Sequence, residues 1–130
     1  MNDLLFDTCF LIDIEREMRR GAGPALEFVS HHEADRFWIS WTVAGEFADG
    51  FGSIRVPACA AMLDRFEVTE MNEETADQYA RITSGLRKSS QLIGANDLWI
   101  AAAALATGFP LVTNNAKHFS RVPGLKVMGY

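Results

Sequence analysis

LLFDTCFLID, residues 4–13, is the stretch whose reading decides the fold. Three apolar residues, Leu4–Phe6, are cut off by Asp7, and a helical pattern with Phe10, Leu11 and Ile14 at core spacing follows at once. A strand buried on both faces reads as a continuous apolar run, the mark of a parallel sheet. A strand that passes directly into a helix is half of a β–α–β unit. Asp7 stands at the junction, where open α/β sheets bind their ligands, beyond the carboxyl ends of the strands.

Three further stretches have the same look: WISWTVAGEF (38–47) with Glu46, IGANDLWIAAAAL (93–105) with Asp97, and PLVTNNAKHF (110–119) with Asn115. Each polar residue is expected just past an apolar run, so that all four converge on one cleft. Two carboxylates about 5 Å apart at an effective dielectric of about 20 repel by roughly 3 kcal/mol. Three such pairs approach roughly 10 kcal/mol, on the scale of a whole domain's net stability. The acids must therefore protonate, spread apart or bind a cation. Oxygen-only donors point to a hard cation, Mg²⁺ or Mn²⁺, and such sites act on phosphate esters.

Singly, each residue also has a structural explanation. Asp7 can cap the first helix, Glu46 can lie on a solvated helix face, Asp97 can complement a helix N-terminus, and Asn115 can serve a turn. Thr8 and Thr113 neighbour site positions and are candidates to orient the carboxylates by hydrogen bonding; β-propensity alone also explains Thr113. Ser40 is read as a local helix cap. Lys117 and Arg121 follow Asn115 and are candidate phosphate contacts, with His118 between them a weaker candidate base. Arg81, Arg87 and Lys88 read as a solvated helix face. Trp38, Trp41 and Trp99 read as core or interface residues, with base stacking as the alternative.

The remaining elements follow the same logic. Helices are expected over Thr8–Met18, Ala25–Ser30, Thr42–Phe51 and Pro57–Leu63, from Asn72 as N-cap to Lys88, and from Asn96 to Gly108. Further strands are expected at Phe37–Ser40, Phe66–Thr69, Leu111–Thr113 and Leu125–Met128. The alternation predicts an α/β fold with a mostly parallel sheet. The chain has 130 residues, which fits one domain over 1–130, and at 48% hydrophobic it can bury a full core. A net charge of −5 excludes a strongly basic nucleic-acid footprint but not a nuclease, whose acidic site adds to the negative count. Cys9 and Cys59 are expected as reduced core thiols, and their spacing offers no zinc site. The N-terminus lacks a signal-peptide pattern, and the apolar stretch 98–112 is broken by Gly108 and Pro110, so a cytoplasmic protein without a membrane span is expected.

With these motifs in hand, the chain resembles the PIN-domain ribonucleases, in particular the toxin subunits of VapBC-type toxin–antitoxin pairs. LLFDTCFLID resembles the opening motif with Asp7, SWTVAGEF the second with Glu46, IGANDLWIAAAAL the third with Asp97, and LVTNNAKHFSRVPGLKV the closing motif. The resemblance implies a three-layer α/β/α sandwich and a Mg²⁺- or Mn²⁺-dependent endoribonuclease. It also implies homodimerisation and inhibition by a small antitoxin protein. Asp7, Glu46 and Asp97 would hold metal, with Asn115 assisting where many members carry a fourth Asp. An amide can ligate through its carbonyl oxygen but brings no charge, which weakens the case for a second metal. Two rivals remain. A catalytically silent PIN-like module that only binds RNA or protein would have no need of the acids. A haloacid-dehalogenase-like phosphatase would need an Asp two residues past the first, where this chain has Cys9.

Overall fold

A computed structural model describes all 130 residues. In chain order the elements are β1 (Asp3–Phe6), α1 (Thr8–Arg20), α2 (Pro24–His31), β2 (Arg36–Ile39), α3 (Trp41–Asp49) and α4 (Pro57–Leu63). There follow β3 (Glu67–Val68), α5 (Glu73–Lys88), α6 (Ala95–Thr107), β4 (Leu111–Val112), α7 (Ala116–Phe119) and β5 (Val127–Met128). The five strands form one sheet in the order β3-β2-β1-β4-β5, and every neighbouring pair is parallel. The sheet is thus wholly parallel rather than mostly so.

The strand order explains where a site can form. Proceeding from β1, the chain lays β2 and β3 to one side, then crosses back to place β4 and β5 on the other. Right-handed crossovers in opposite directions put helices on both faces, the three-layer arrangement that was expected. The reversal lies between β1 and β4, the place where open α/β sheets bind their ligands beyond the strand ends. Asp7 is the first residue past β1 and Thr113 the first past β4. Both are tied into the ladder: the Asp7 N–H donates to Val112 O at 3.0 Å, and the Thr113 N–H to Met128 O at 2.9 Å.

Packing holds the strands on either side of that point. Leu5 and Phe6 of β1 and Leu111 and Val112 of β4 are completely buried. Phe6 meets Phe10 of α1 at 4.4 Å between ring centroids, and also Phe28, Phe37 and Phe66. On α6 the run Ala101–Ala104 is buried, its small side chains allowing close packing. Gly21 (φ 93°) and Gly108 (φ 78°) end α1 and α6 in the left-handed conformation that glycine adopts without strain.

Local signals set most helix starts. Asn72 and Thr75 form a reciprocal capping box on α5, and Ser40 Oγ accepts from the Val43 N–H at 3.2 Å to start α3. Elsewhere the boundaries moved. α3 begins at Trp41 rather than Thr42 and stops at Asp49, and β5 is only Val127–Met128. α7 was not anticipated, because a single turn of four residues is too short to show a period. Trp41 is 55% exposed, so it is no core residue.

Candidate active site

Of the four polar positions, only Asp7 directly follows a strand, and Asn115 lies three residues past β4. Glu46 lies well inside α3, and Asp97 sits in the first turn of α6, which follows a helix and not a strand. The expectation of equivalent strand-end positions therefore fails for Glu46 and Asp97. They reach the site because α3 and α6 pack against each other.

Asp7 is 7% exposed, and each of its carboxylate oxygens accepts a hydrogen bond. Oδ1 accepts the Thr8 N–H at 2.8 Å, which caps α1. Oδ2 accepts the Thr113 hydroxyl at 2.7 Å. Thr113 is completely buried, and its hydroxyl in turn accepts the Asn115 N–H at 3.0 Å. The hydroxyl's one proton is therefore committed to Asp7, and this buried relay fixes the carboxylate at the β1–β4 reversal.

Glu46 is held from two sides. The Thr8 hydroxyl donates to Oε1 at 2.6 Å, and the Asn96 amide donates to Oε2 at 3.1 Å. One carboxylate on α3 is thereby fastened to both α1 and α6. Asp97 is paired instead with His118 Nε2 at 2.9 Å, both side chains being about a third exposed or less. Burial raises the Asp97 pKa above the ordinary carboxylate range, the Asp7 and Glu46 charges add to the rise, and His118 opposes it. Asp97 therefore feels both other acids.

The three acids share a field but form no close ligand cage: no group of three or more His, Cys, Asp or Glu side chains stands ready to grip an ion alone. Each acid is tethered to a different donor, so the repulsion expected of a tight cluster is met by separation and hydrogen bonds. The donor set still fits a hard cation. Its oxygens are carboxylates held by neighbouring donors, and Mg²⁺ keeps several waters while taking only one or two carboxylates.

Asn115 is exposed, and its side chain makes no hydrogen bond, although it opens α7. Lys117 and Arg121 are exposed and without ion pairs. The basic face of α5 is solvated as expected, with Arg81 paired to Asp77 at 2.8 Å. Both cysteines are free, but only Cys59 is a core thiol. Cys9 Sγ lies 3.6 Å from both Asp7 Oδ2 and Thr113 Oγ1, and burial raises its pKa. The Cys9 reading is corrected accordingly: following Asp7 by two residues on the first turn of α1 turns it back to the same carboxylate.

The model of the PIN domain family matches residues 4–125, nearly the whole chain. The chain belongs to the PIN domain family. Among relatives of this PIN domain, Ribonuclease VapC1 of Rickettsia felis is 40% identical over 133 residues, covering 96% of this chain and 94% of the relative. Ribonuclease VapC1 of Haemophilus influenzae (strain R2866) is 34% identical over 97 residues, covering 71% and 72%. Among solved structures, VapBC-1 from nontypeable Haemophilus influenzae superposes with a TM-score of 0.74 at 28% identity, covering 98% of this chain and 97% of that one. VapBC2 from Rickettsia felis, bound to a DNA fragment from their promoter, has a TM-score of 0.82 at 24% identity over 98% of both chains, a likeness of fold.

One residue of this PIN domain's candidate site was not read as such. Asn96 was taken only as the opening of α6, and its bond to Glu46 spans 50 residues of sequence. His118, weighed as a weak candidate base, is brought to the same site by its pairing with Asp97. The only sequence signal for Asn96 was a second polar residue beside Asp97 at the head of an otherwise apolar helix.

Proposed function

We propose that this PIN domain is a Mg²⁺- or Mn²⁺-dependent endoribonuclease and the toxin of a toxin–antitoxin pair. The observation that carries the reading is the tethering of Asp7 and Glu46 by Thr113, Thr8 and Asn96, beside an Asp97 whose proton affinity is raised by burial first and then by both acids. Groups that hold carboxylates in place without neutralising them suit a cation and make little sense in a module that merely binds. Relatives named ribonucleases support RNA as the substrate class.

Asp7, Glu46 and Asp97 would hold the cation directly or through water, with Asn115 adding a carbonyl oxygen and no charge. A cation held there would supply Lewis-acid polarisation of the scissile phosphate and an activated water for in-line attack. Thr113 fixes the Asp7 carboxylate at Oδ2, and Thr8 and Asn96 fix Glu46 at both oxygens. His118 Nε2, 2.9 Å from Asp97 Oδ2, holds that carboxylate in the same way. Lys117 and Arg121, exposed beside this edge, would bind substrate phosphates.

The partner side of the reading rests on solved VapBC complexes and on an apolar hollow of about 310 Å³. Phe10, Ile14 and Met18 line it from α1, Leu26 and Val29 from α2, and Met62 from α4, with Arg65 as its one charged residue. An apolar helix of a small antitoxin would cover such a groove, and an Arg or Lys from it would pair with the site acids. Self-association and a cytoplasmic location belong to the same reading, and no helix of the chain is long and apolar enough to cross a membrane.

The test is cleavage of a single-stranded RNA, with products mapped at nucleotide resolution. Wild type should give internal cuts, and Glu46→Gln should lose most of the rate. Equal cleavage by both proteins would remove Glu46 from the chemistry, and the absence of internal cuts with either ion would leave the binding-module reading.

A further inference from the structure

The three tryptophans have different fates, and one is left over. Trp38 donates its indole N–H to Asp3 at 2.9 Å and packs on Phe109 at 5.5 Å between centroids. Trp99 stacks on Tyr79 at 3.9 Å with planes 18° apart. Trp41 has no hydrogen bond through its indole and no aromatic neighbour, and it is 55% exposed. It is the first residue of α3, behind the Ser40 cap, so its backbone is fixed while its ring stands in solvent.

The position is specific. Trp41 lines an open cleft of about 750 Å³ together with Thr8, Thr42, Glu46, Asp49 and Asn96. Thr8, Glu46 and Asn96 are the tethered carboxylate and its two donors, so the indole shares a cleft with the site. The lining includes two carboxylates and no Lys or Arg. Away from a cation held by Glu46, a phosphate is disfavoured there, because no side chain of the lining offsets its charge. The uncharged part of a nucleotide is not. An aromatic face stacks on any base, with no need for a neutralising charge.

We propose that Trp41 is a nucleobase-stacking residue, on which an unpaired base next to the scissile phosphate seats in the cleft beside Glu46. The inference rests on the ribonuclease reading and deepens it: the substrate is single-stranded at the cut, since a paired base has no free face to offer. The backbone then follows the Lys117–Arg121 edge while the base turns into the acidic cleft.

An abasic scan tests this. Wild type, Trp41→Ala and Trp41→Phe are compared on an RNA with a mapped cleavage site and on copies lacking one base at each position around it. One abasic position beside the cut should lower the wild-type kcat/KM about tenfold, the size of one lost stack. Trp41→Ala should be lowered by the same factor on intact RNA and be indifferent to that abasic position, while Trp41→Phe recovers most of the rate. Melting temperature and oligomeric state should be unchanged. A Trp41→Ala protein that cleaves intact RNA like wild type, or keeps the wild-type abasic profile, overturns the inference but leaves the ribonuclease reading standing. Trp41 also borders an apolar hollow with Ile39, Ala44 and Leu63. Loss of activity together with a changed oligomeric state would assign the ring to a protein contact and overturn the inference too. A wild type that cleaves no RNA removes both readings.

Discussion

Thr113 is the residue on which the geometry of Asp7 depends. Completely buried, it gives its one proton to Asp7 Oδ2 and takes the Asn115 N–H, so valine of nearly the same shape would orphan both partners. Thr113→Val should destabilise the protein by about 1–3 kcal/mol in urea unfolding. It should also weaken Mn²⁺ binding by roughly 10–100-fold, the usual effect of removing a group that orients a ligand. Unchanged Mn²⁺ affinity would separate Thr113 from the metal. Asp97 carries the opposite prediction. Its folded pKa lies above the unfolded value, so its charge lowers the metal-free protein's stability at neutral pH. That loss is recovered as pH falls through the folded pKa toward about 4. Asp97→Asn should therefore melt at or above the wild-type temperature at pH 7 without metal, and the acid-side gain should vanish. Marked destabilisation would instead make Asp97 chiefly a complement to the α6 N-terminus. Asp7 was legible because a carboxylate closing an apolar run is conspicuous. The pairing of Thr113 with Asp7 spans 106 residues, and no local pattern carries it.

At the scale of elements, strands and long helices were readable, and their placement was not. Apolar runs located β1, β2 and β4, and Asn72 located the start of α5. The mistaken strand-end positions have different causes: WISW does supply β2, but Glu46 lies beyond it inside α3, whereas the run before Asp97 joins no sheet. WISW and IGAN look alike as apolar runs cut by a polar residue, yet residues 93–94 form no strand, and Ile93 simply packs in the core. Whether a short apolar run pairs with a sheet is a tertiary outcome, beyond the reach of period and composition. The capping box on α5 gives a prediction independent of the site. Asn72 Oδ1 accepts the Thr75 N–H at 3.2 Å, and Thr75 Oγ1 accepts the Asn72 N–H at 3.3 Å. Asn72→Ala should cost about 1 kcal/mol in urea unfolding. RNA cleavage by the folded variant should remain at the wild-type rate, and a selective loss of activity would tie α5 to the site.

For the whole molecule, the wholly parallel sheet and its reversal between β1 and β4 account for the position of Asp7 and Thr113, and the packing of α3 on α6 brings Glu46 and Asp97 to them. The net charge is −5, and on the proposed reading the cleft's charge would be offset locally, by metal when RNA is cut or by a basic side chain of the antitoxin when it is inhibited. Those two occupants exclude each other. A co-purified antitoxin that reaches the acids should lower Mn²⁺ affinity in a calorimetric titration, whereas unaltered affinity would mean inhibition from the apolar groove alone. The central claim is that the tethered acids cut RNA by means of a hard cation. The most direct measurement is RNA cleavage by the purified chain in EDTA, with Mg²⁺ or Mn²⁺ then added in excess, beside Asp97→Asn treated identically. The account predicts no cleavage in EDTA, recovery on adding either ion, and little recovery in Asp97→Asn. Cleavage by wild type in EDTA at the metal-replete rate would contradict it.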